Sequence, residues 1–197
     1  MLQQNIKYEE ARDPGFARWA TEQTGGENIR RCIQCGTCSA TCPVSSYMDH
    51  TPRQLIHLAR EGFKKEVLSS FTLWLCASCY SCRVDCPKDI HVTDFMYALK
   101  RRAMAERVYP KRFPIPVLAQ EFSRMVQWFG RVNETIVAAV MFLRTDWFKL
   151  LGQTGLGLKL MRTGRLSVFP ESIRGRSELQ RMLKAAEASK EKEVASR

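Results

Sequence analysis

Cys32, Cys35, Cys38 and Cys42 are spaced C-x2-C-x2-C-x3-C and followed by Pro43; Cys76, Cys79, Cys82 and Cys86 repeat the spacing before Pro87. These are all eight cysteines of the chain, and none stands outside the two runs. Three thiolates at three-residue intervals fit along one side of a tight turn and converge on three corners of a cubane. The fourth continues the turn away from that cubane and reaches a second one beside it, the cross-ligation known for this spacing. The expected ligand sets are Cys32, Cys35 and Cys38 with Cys86, and Cys76, Cys79 and Cys82 with Cys42. Each set is expected to hold a [4Fe–4S] cluster. The proline after each run lacks an N–H and fixes φ, so it redirects the chain beside the metal. Soft thiolates select iron–sulfur or zinc over hard cations. A zinc site would instead place two close ligands, a long gap and two more, often with histidine.

The remaining composition narrows the class. A disulfide framework belongs to small secreted domains, and the sequence shows no signal peptide. Cysteines reserved for metal point to the reducing cytoplasm, which is the expected location. The longest apolar run, Ile136 to Leu143, is eight residues, far short of the roughly 20 that span a bilayer. The net charge of +11 is uneven. Residues 1–99 hold 11 Lys+Arg and 11 Asp+Glu, whereas residues 100–197 hold 20 and 9. Each oxidised cluster with four thiolates adds about −2, so the loaded first half would sit near about −4.

Helical signals fill the space around the cysteines. Asp13 and Pro14 cap a helix over about 13–24 that Gly25-Gly26 stops. Its Phe16 and Trp19 form an apolar stripe suited to a core. Thr51-Pro52 opens a helix that ends near Gly62, and a shorter one follows at about 64–70. Together they fill the 33-residue gap between Cys42 and Cys76. A helix from about Thr93 turns Phe95, Met96, Ala98, Leu99 and Ala103 inward and Lys100, Arg101 and Arg102 outward. The prolines of Val108–Pro116 break that helix. Further helices are expected at about 117–130, 133–143, 145–151 and 154–162, and a charged helix or disordered tail at 177–195. No strand pattern appears. The expected fold is all-α: a helical ferredoxin-type two-cluster domain over 1–108, a basic helical extension over 109–176 and a charged tail over 177–197.

Candidate modulators surround the thiols. Arg30, Arg31, Arg83 and Lys88 are cations near a cluster, where positive charge favours the reduced form. Trp74 is a candidate shield of the second cluster against water. Thr37, Ser39, Thr41, Ser78 and Ser81 could donate to sulfur. His50, His57 and His91 are scattered and carry no catalytic pattern. No dinucleotide or phosphate-binding loop and no metalloprotease motif occurs. No catalytic residue is therefore expected in this chain. The basic half lacks a recognised nucleic-acid motif, and no nucleic-acid partner is expected.

The paired runs, the helical spacer and the basic extension resemble the HdrC family, the two-cluster component of heterodisulfide reductase. Gly130-Arg-Val-Asn-Glu134 and Met161-Arg-Thr-Gly-Arg-Leu166 look like the extension of that family. The resemblance implies an electron-transfer subunit of a cytoplasmic complex. In that complex it would relay electrons between a flavin-containing, HdrA-like protein and a disulfide-active, HdrB-like protein bearing CCG motifs, which this chain lacks. The cysteine runs alone are also similar to those of the iron–sulfur subunits of fumarate and succinate reductases, glycolate oxidase and anaerobic glycerol-3-phosphate dehydrogenase. That likeness implies a quinone-linked respiratory enzyme, with the basic C-terminal half in peripheral contact with a membrane.

Overall fold

A computed structural model describes residues 9–109, 113–145, 148, 152, 154–164 and 171–195. The described residues form helices and turns and no strand, so the fold is all-α. The chain divides into two units, Met1–Pro110 and Lys111–Arg197.

In the first unit α1 spans Pro14–Glu22. The Asp13 carboxylate accepts from the Phe16 N–H at 3.0 Å, which satisfies one of the helix's orphan donors. Phe16 is buried and stacks on half-buried Trp19, with ring centroids 5.4 Å apart. The first cysteine run forms a one-turn helix, α2, at Thr37–Ala40. Helix α3, Pro52–Arg60, starts with a Thr51/Gln54 capping box in which Gln54 Oε1 accepts from the Thr51 N–H at 2.9 Å. It buries Leu55, Ile56, Leu58 and Ala59. Gly62 ends it at φ +86°, and a Cβ there would lie 2.7 Å from the Asp13 carbonyl oxygen. Glycine is thus required where α1 and α3 meet.

Helices α4 (Lys64–Ser69) and α5 (Thr72–Leu75) lead to the second run, whose own turn is α6 (Ser81–Val84). Helix α7, Val92–Ala105, buries Phe95, Met96, Ala98, Leu99 and Ala103, the inward set expected from its periodicity. It packs on α4, α5 and α6, while α3 packs on α1, α2 and α4 and α2 packs on α6. The two cysteine-bearing turns are therefore held side by side by two longer amphipathic helices.

In the second unit α8 spans Pro114–Phe129 and α9 spans Glu134–Thr145, and the two pack together. Helix α8 begins three residues before the expected 117. Pro114 and Pro116 sit in its first turn, where the missing N–H groups have no intrahelical partner to lose. The prolines that end one helix thus start the next. Buried Glu121 joins the pair: it is 2.8 Å from Arg124 Nη1 on its own helix and 2.7 Å from Arg144 Nη1 on α9. Helices follow at Thr154–Arg162 and Arg176–Ala195. The helix expected at 145–151 lies largely outside the described residues.

Two thiol-lined cavities as the candidate cluster site

The two cysteine runs have the same backbone. Two residues after the first cysteine, Gln34 and Ser78 are left-handed at φ 58° and 57°. Two residues further on, Gly36 (φ 87°) and Tyr80 (φ 62°) are left-handed again and precede α2 and α6. Alternating handedness curls each run so that its first three side chains turn toward one side. Glycine meets this demand in the first run without a Cβ penalty, whereas Tyr80 adopts it at a cost of about 1 kcal/mol or more.

Two cavities result, of about 350 and 410 Å³ counting their open mouths. The first is lined by Cys32, Cys35, Cys38 and Cys86, with Ile56, Ile90 and Val92 among its apolar walls. The second is lined by Cys42, Cys76, Cys79 and Cys82, with Val44, Met48, Val92 and Met96. Each cavity thus collects three thiols of one run and the last thiol of the other. Val92 lines both, so the cavities are neighbours. All eight cysteines are free thiols, with Cys35 and Cys79 exposed and the others half-buried. Among the described residues no three His, Cys, Asp or Glu side chains gather on a single ion position; the thiols surround a volume. A four-thiol soft donor set with a largely apolar wall fits an iron–sulfur cubane.

The thiols differ in their protonation. Burial pushes the Cys38 thiol up to about 11, and burial also raises that of Cys82. The Thr37 hydroxyl and then its backbone N–H hold exposed Cys35 low. The Ser81 backbone N–H and then its hydroxyl do the same for Cys79. Ligation requires thiolates, so loading the cavities releases protons, most of all from the buried pair.

Hydrogen bonding to sulfur differs in part from expectation. Thr37 Oγ1 lies 3.3 Å from Cys35 Sγ and Ser81 Oγ 3.6 Å from Cys79 Sγ. The Ser39 hydroxyl hydrogen-bonds Cys38 and opposes the effect of burial on that thiol, and Ser39, Thr41 and Ser78 all serve the scaffold. Ser39 Oγ accepts from the Arg53 N–H, Thr41 Oγ1 donates to the Thr37 carbonyl, and Ser78 Oγ donates to the Tyr97 hydroxyl at 2.7 Å. Three further groups reach sulfur. Gln34 Nε2 and the Ile90 N–H donate to Cys32 and Cys86, each at 3.4 Å, and Thr93 Oγ1 lies 3.5 Å from Cys82. Thr93 comes from the first turn of α7, 11 residues beyond Cys82, so the spacing of the run does not signal it, whereas the Ile90 N–H follows Cys86 by four residues.

Trp74 is buried but does not line the second cavity; its ring meets Tyr109 edge-on at 6.1 Å. It sits on the core side of α5, and Val44, Met48 and Met96 provide the apolar cover expected of it. Arg83 is 3.3 Å from Asp94, which compensates its charge. Arg30 and Arg31 are exposed and line neither cavity, whereas Lys88 lines the first one. His57 is exposed, and His91 lies within 3.4 Å of Asp89.

Asp49 is a structural residue without a sequence signature. Its carboxylate accepts from Ser70 Oγ (2.8 Å), Phe71 N–H (2.9 Å), Thr72 N–H (2.9 Å) and Thr72 Oγ1 (2.7 Å). It pins the segment after the first run to the start of α5, which carries the chain into Cys76. Partial burial pushes this carboxyl up, but the hydrogen bonds from Thr72, Phe71 and Ser70 outweigh burial and hold it well below the usual carboxylate range.

Residues 28–90 match the 4Fe-4S dicluster domain family. The chain is 38% identical over 79 residues to the HdrC subunit of the H2:CoB-CoM heterodisulfide,ferredoxin reductase of Methanothermobacter marburgensis, covering 40% of this chain and 43% of that protein. It is 37% identical over 82 residues to the HdrC subunit of the ferredoxin:CoB-CoM heterodisulfide reductase of Methanosarcina mazei, covering 42% and 50%. With the Methanosarcina acetivorans protein of the same name it shares 37% over 80 residues, covering 41% and 32%. The chain thus spans half or less of the length of these relatives. The aligned segments are shorter than the stretch from Cys32 to Met161, so the likeness of the extension is not carried by them. Two [4Fe–4S] clusters are the cofactors this domain carries. The cysteine-bearing part of the chain is an iron–sulfur, electron-transfer domain homologous to that of the HdrC subunits of heterodisulfide reductase.

Proposed function

We propose that the chain is the electron-relay subunit of a heterodisulfide reductase or related complex. Cys32, Cys35, Cys38 and Cys86 hold one cluster; Cys42, Cys76, Cys79 and Cys82 hold the other. The observation that carries this reading is the pair of adjacent cavities, each completed by the other run's last cysteine and sharing Val92. When bound, the clusters supply one-electron redox chemistry at the two positions. The protein's own part is to hold the thiolates, donate hydrogen bonds to their sulfurs and wall them with Val92, Ile56 and Met96. The partners in this reading are a flavin-containing, HdrA-like protein on one side and a CCG-bearing, disulfide-active, HdrB-like protein on the other, in the cytoplasm.

The second unit docks partners. It is basic, and its exposed Ile115, Leu118, Phe122, Trp128 and Leu143 lie on α8 and α9. The same combination of exposed apolar and cationic side chains supports a second reading, a peripheral component of a quinone-linked enzyme resting on an anionic bilayer. No described helix is long and apolar enough to cross a membrane.

Purification of the complex from its native cell, with and without this chain, tests the proposal. The expected result is copurifying flavin and CCG-bearing protein, with disulfide-linked turnover lost without the chain and restored by adding it. Full turnover in its absence overturns the relay role. Copurification with a quinone-reactive membrane protein selects the second reading.

A further inference from the structure

The two cavities are matched in most respects that set a reduction potential. Each opens to solvent at an exposed cysteine, Cys35 in one and Cys79 in the other. Among the described residues, neither is lined by Asp or Glu. A cation bonds the carbonyl of the first cysteine in each run: Arg60 Nη1 to Cys32 O and Lys100 Nζ to Cys76 O, both at 3.2 Å. A threonine or serine hydroxyl approaches the exposed sulfur in both.

They differ in two respects, and both act in one direction. The first cavity is lined by Arg53 and Lys88, whereas among the described residues no charged side chain lines the second. Both cations are exposed and, among the described residues, neither is in an ion pair, so their charge is not cancelled locally. The stem of Arg53 lies over Gly36, where a Cβ would meet its Cδ at 3.7 Å. The first cavity also has two nitrogen donors to sulfur, Gln34 Nε2 on Cys32 and the Ile90 N–H on Cys86. The second cavity has the Thr93 hydroxyl beside Cys82. Reduction adds one negative charge, and both a nearby cation and an added donor stabilise the more negative state.

Resting on the relay reading, we propose that Arg53 and Lys88 make the first cavity the higher-potential position of the pair. A single electron supplied to the chain then settles between Cys32, Cys35, Cys38 and Cys86. The second cavity becomes the position from which the first is filled. No bond forms or breaks and no proton is required; one site loses an electron and the other gains it.

A redox titration of the full-length, cluster-loaded chain, followed by electron paramagnetic resonance, tests this. The parent should show two one-electron couples. The double substitution Arg53→Gln and Lys88→Gln should move the upper couple to lower potential and leave the lower one in place. The difference between parent and variant should shrink as salt is raised, because both cations are exposed. Ala77→Lys, at an exposed position lining the second cavity, should raise the lower couple and narrow the gap. Movement of the lower couple by the double substitution, or of neither couple, overturns the assignment. So does a rise of the upper couple in Ala77→Lys. A parent chain with a single reducible centre overturns the relay reading itself, a distinct failure.

Discussion

The two units solve the problem of burial differently. Among the described residues, the buried apolar side chains lie in residues 1–110, with Pro116, Met125 and Val137 as the exceptions. The first unit closes its core around α3 and α7 and leaves the cysteine turns at its surface. The second unit exposes Leu118, Phe122, Trp128, Leu143, Phe148, Leu156, Leu158 and Met161. A domain with a finished core can hold a metal site rigidly. Helices with large exposed apolar side chains present contact area for another surface. In the proposed reading, the first unit positions thiolates and the second is covered by a partner.

That contrast is sharpest in paired substitutions. Leu99 is fully buried on α7, and Leu99→Ala should destabilise the first unit by about 2–5 kcal/mol, measured by denaturant unfolding of the cluster-loaded chain. Phe122 is 52% exposed on α8, and Phe122→Ser should change stability by less than about 0.5 kcal/mol. It should nevertheless weaken binding to the partner complex. Equal destabilisation by the two substitutions would erase the distinction between the units.

A smaller effect probes the joint between the two cysteine runs. Asp49 is held below its ordinary carboxylate range in the folded chain. Its contribution is therefore fully present above the unfolded value of about 3.9 and is lost as pH falls below it toward the folded value. Asp49→Asn keeps the shape but weakens the acceptor for Ser70, Phe71 and Thr72. It should cost about 1 kcal/mol near neutral pH and less below about pH 4, because the parent loses the same interactions there. Unfolding curves of both proteins across about pH 2–7 (a range set by those carboxylate values) check this. A cost that stays constant over the acid range would mean the carboxylate charge is not what Asp49 contributes.

Much of the first unit is legible in the sequence because its signals are local. The Asp13 cap, the Thr51/Gln54 box and the apolar face of α7 each lie within a few residues of the structure they specify. The two thiol sets are legible for a different reason: the intervals within each run dictate which side chains can converge. What escapes is non-local. Asp49 reaches residues 70–72, Thr93 reaches the sulfur of Cys82, and Arg53 reaches the first run from α3. None of these is encoded in spacing along one segment. Trp74 departs from expectation because its residue type and position suggest a shield, while the turn of α5 sends the ring into the core. Helix α8 starts earlier than expected because proline, which breaks a helix from within, suits a helix's first turn.

The most direct measurement is iron, zinc and acid-labile sulfide analysis of the full-length chain, parent beside Cys86→Ala. Cross-ligated cubanes predict about eight irons and about eight sulfides in the parent, with little zinc. Cys86→Ala should damage the cluster held by Cys32, Cys35 and Cys38 and spare the one held by its own neighbours, Cys76, Cys79 and Cys82. Resonance changes confined to the first-cavity cluster would therefore follow. Zinc in place of iron, or loss of the cluster at Cys76, Cys79 and Cys82 alone, would contradict the paired, cross-ligated relay.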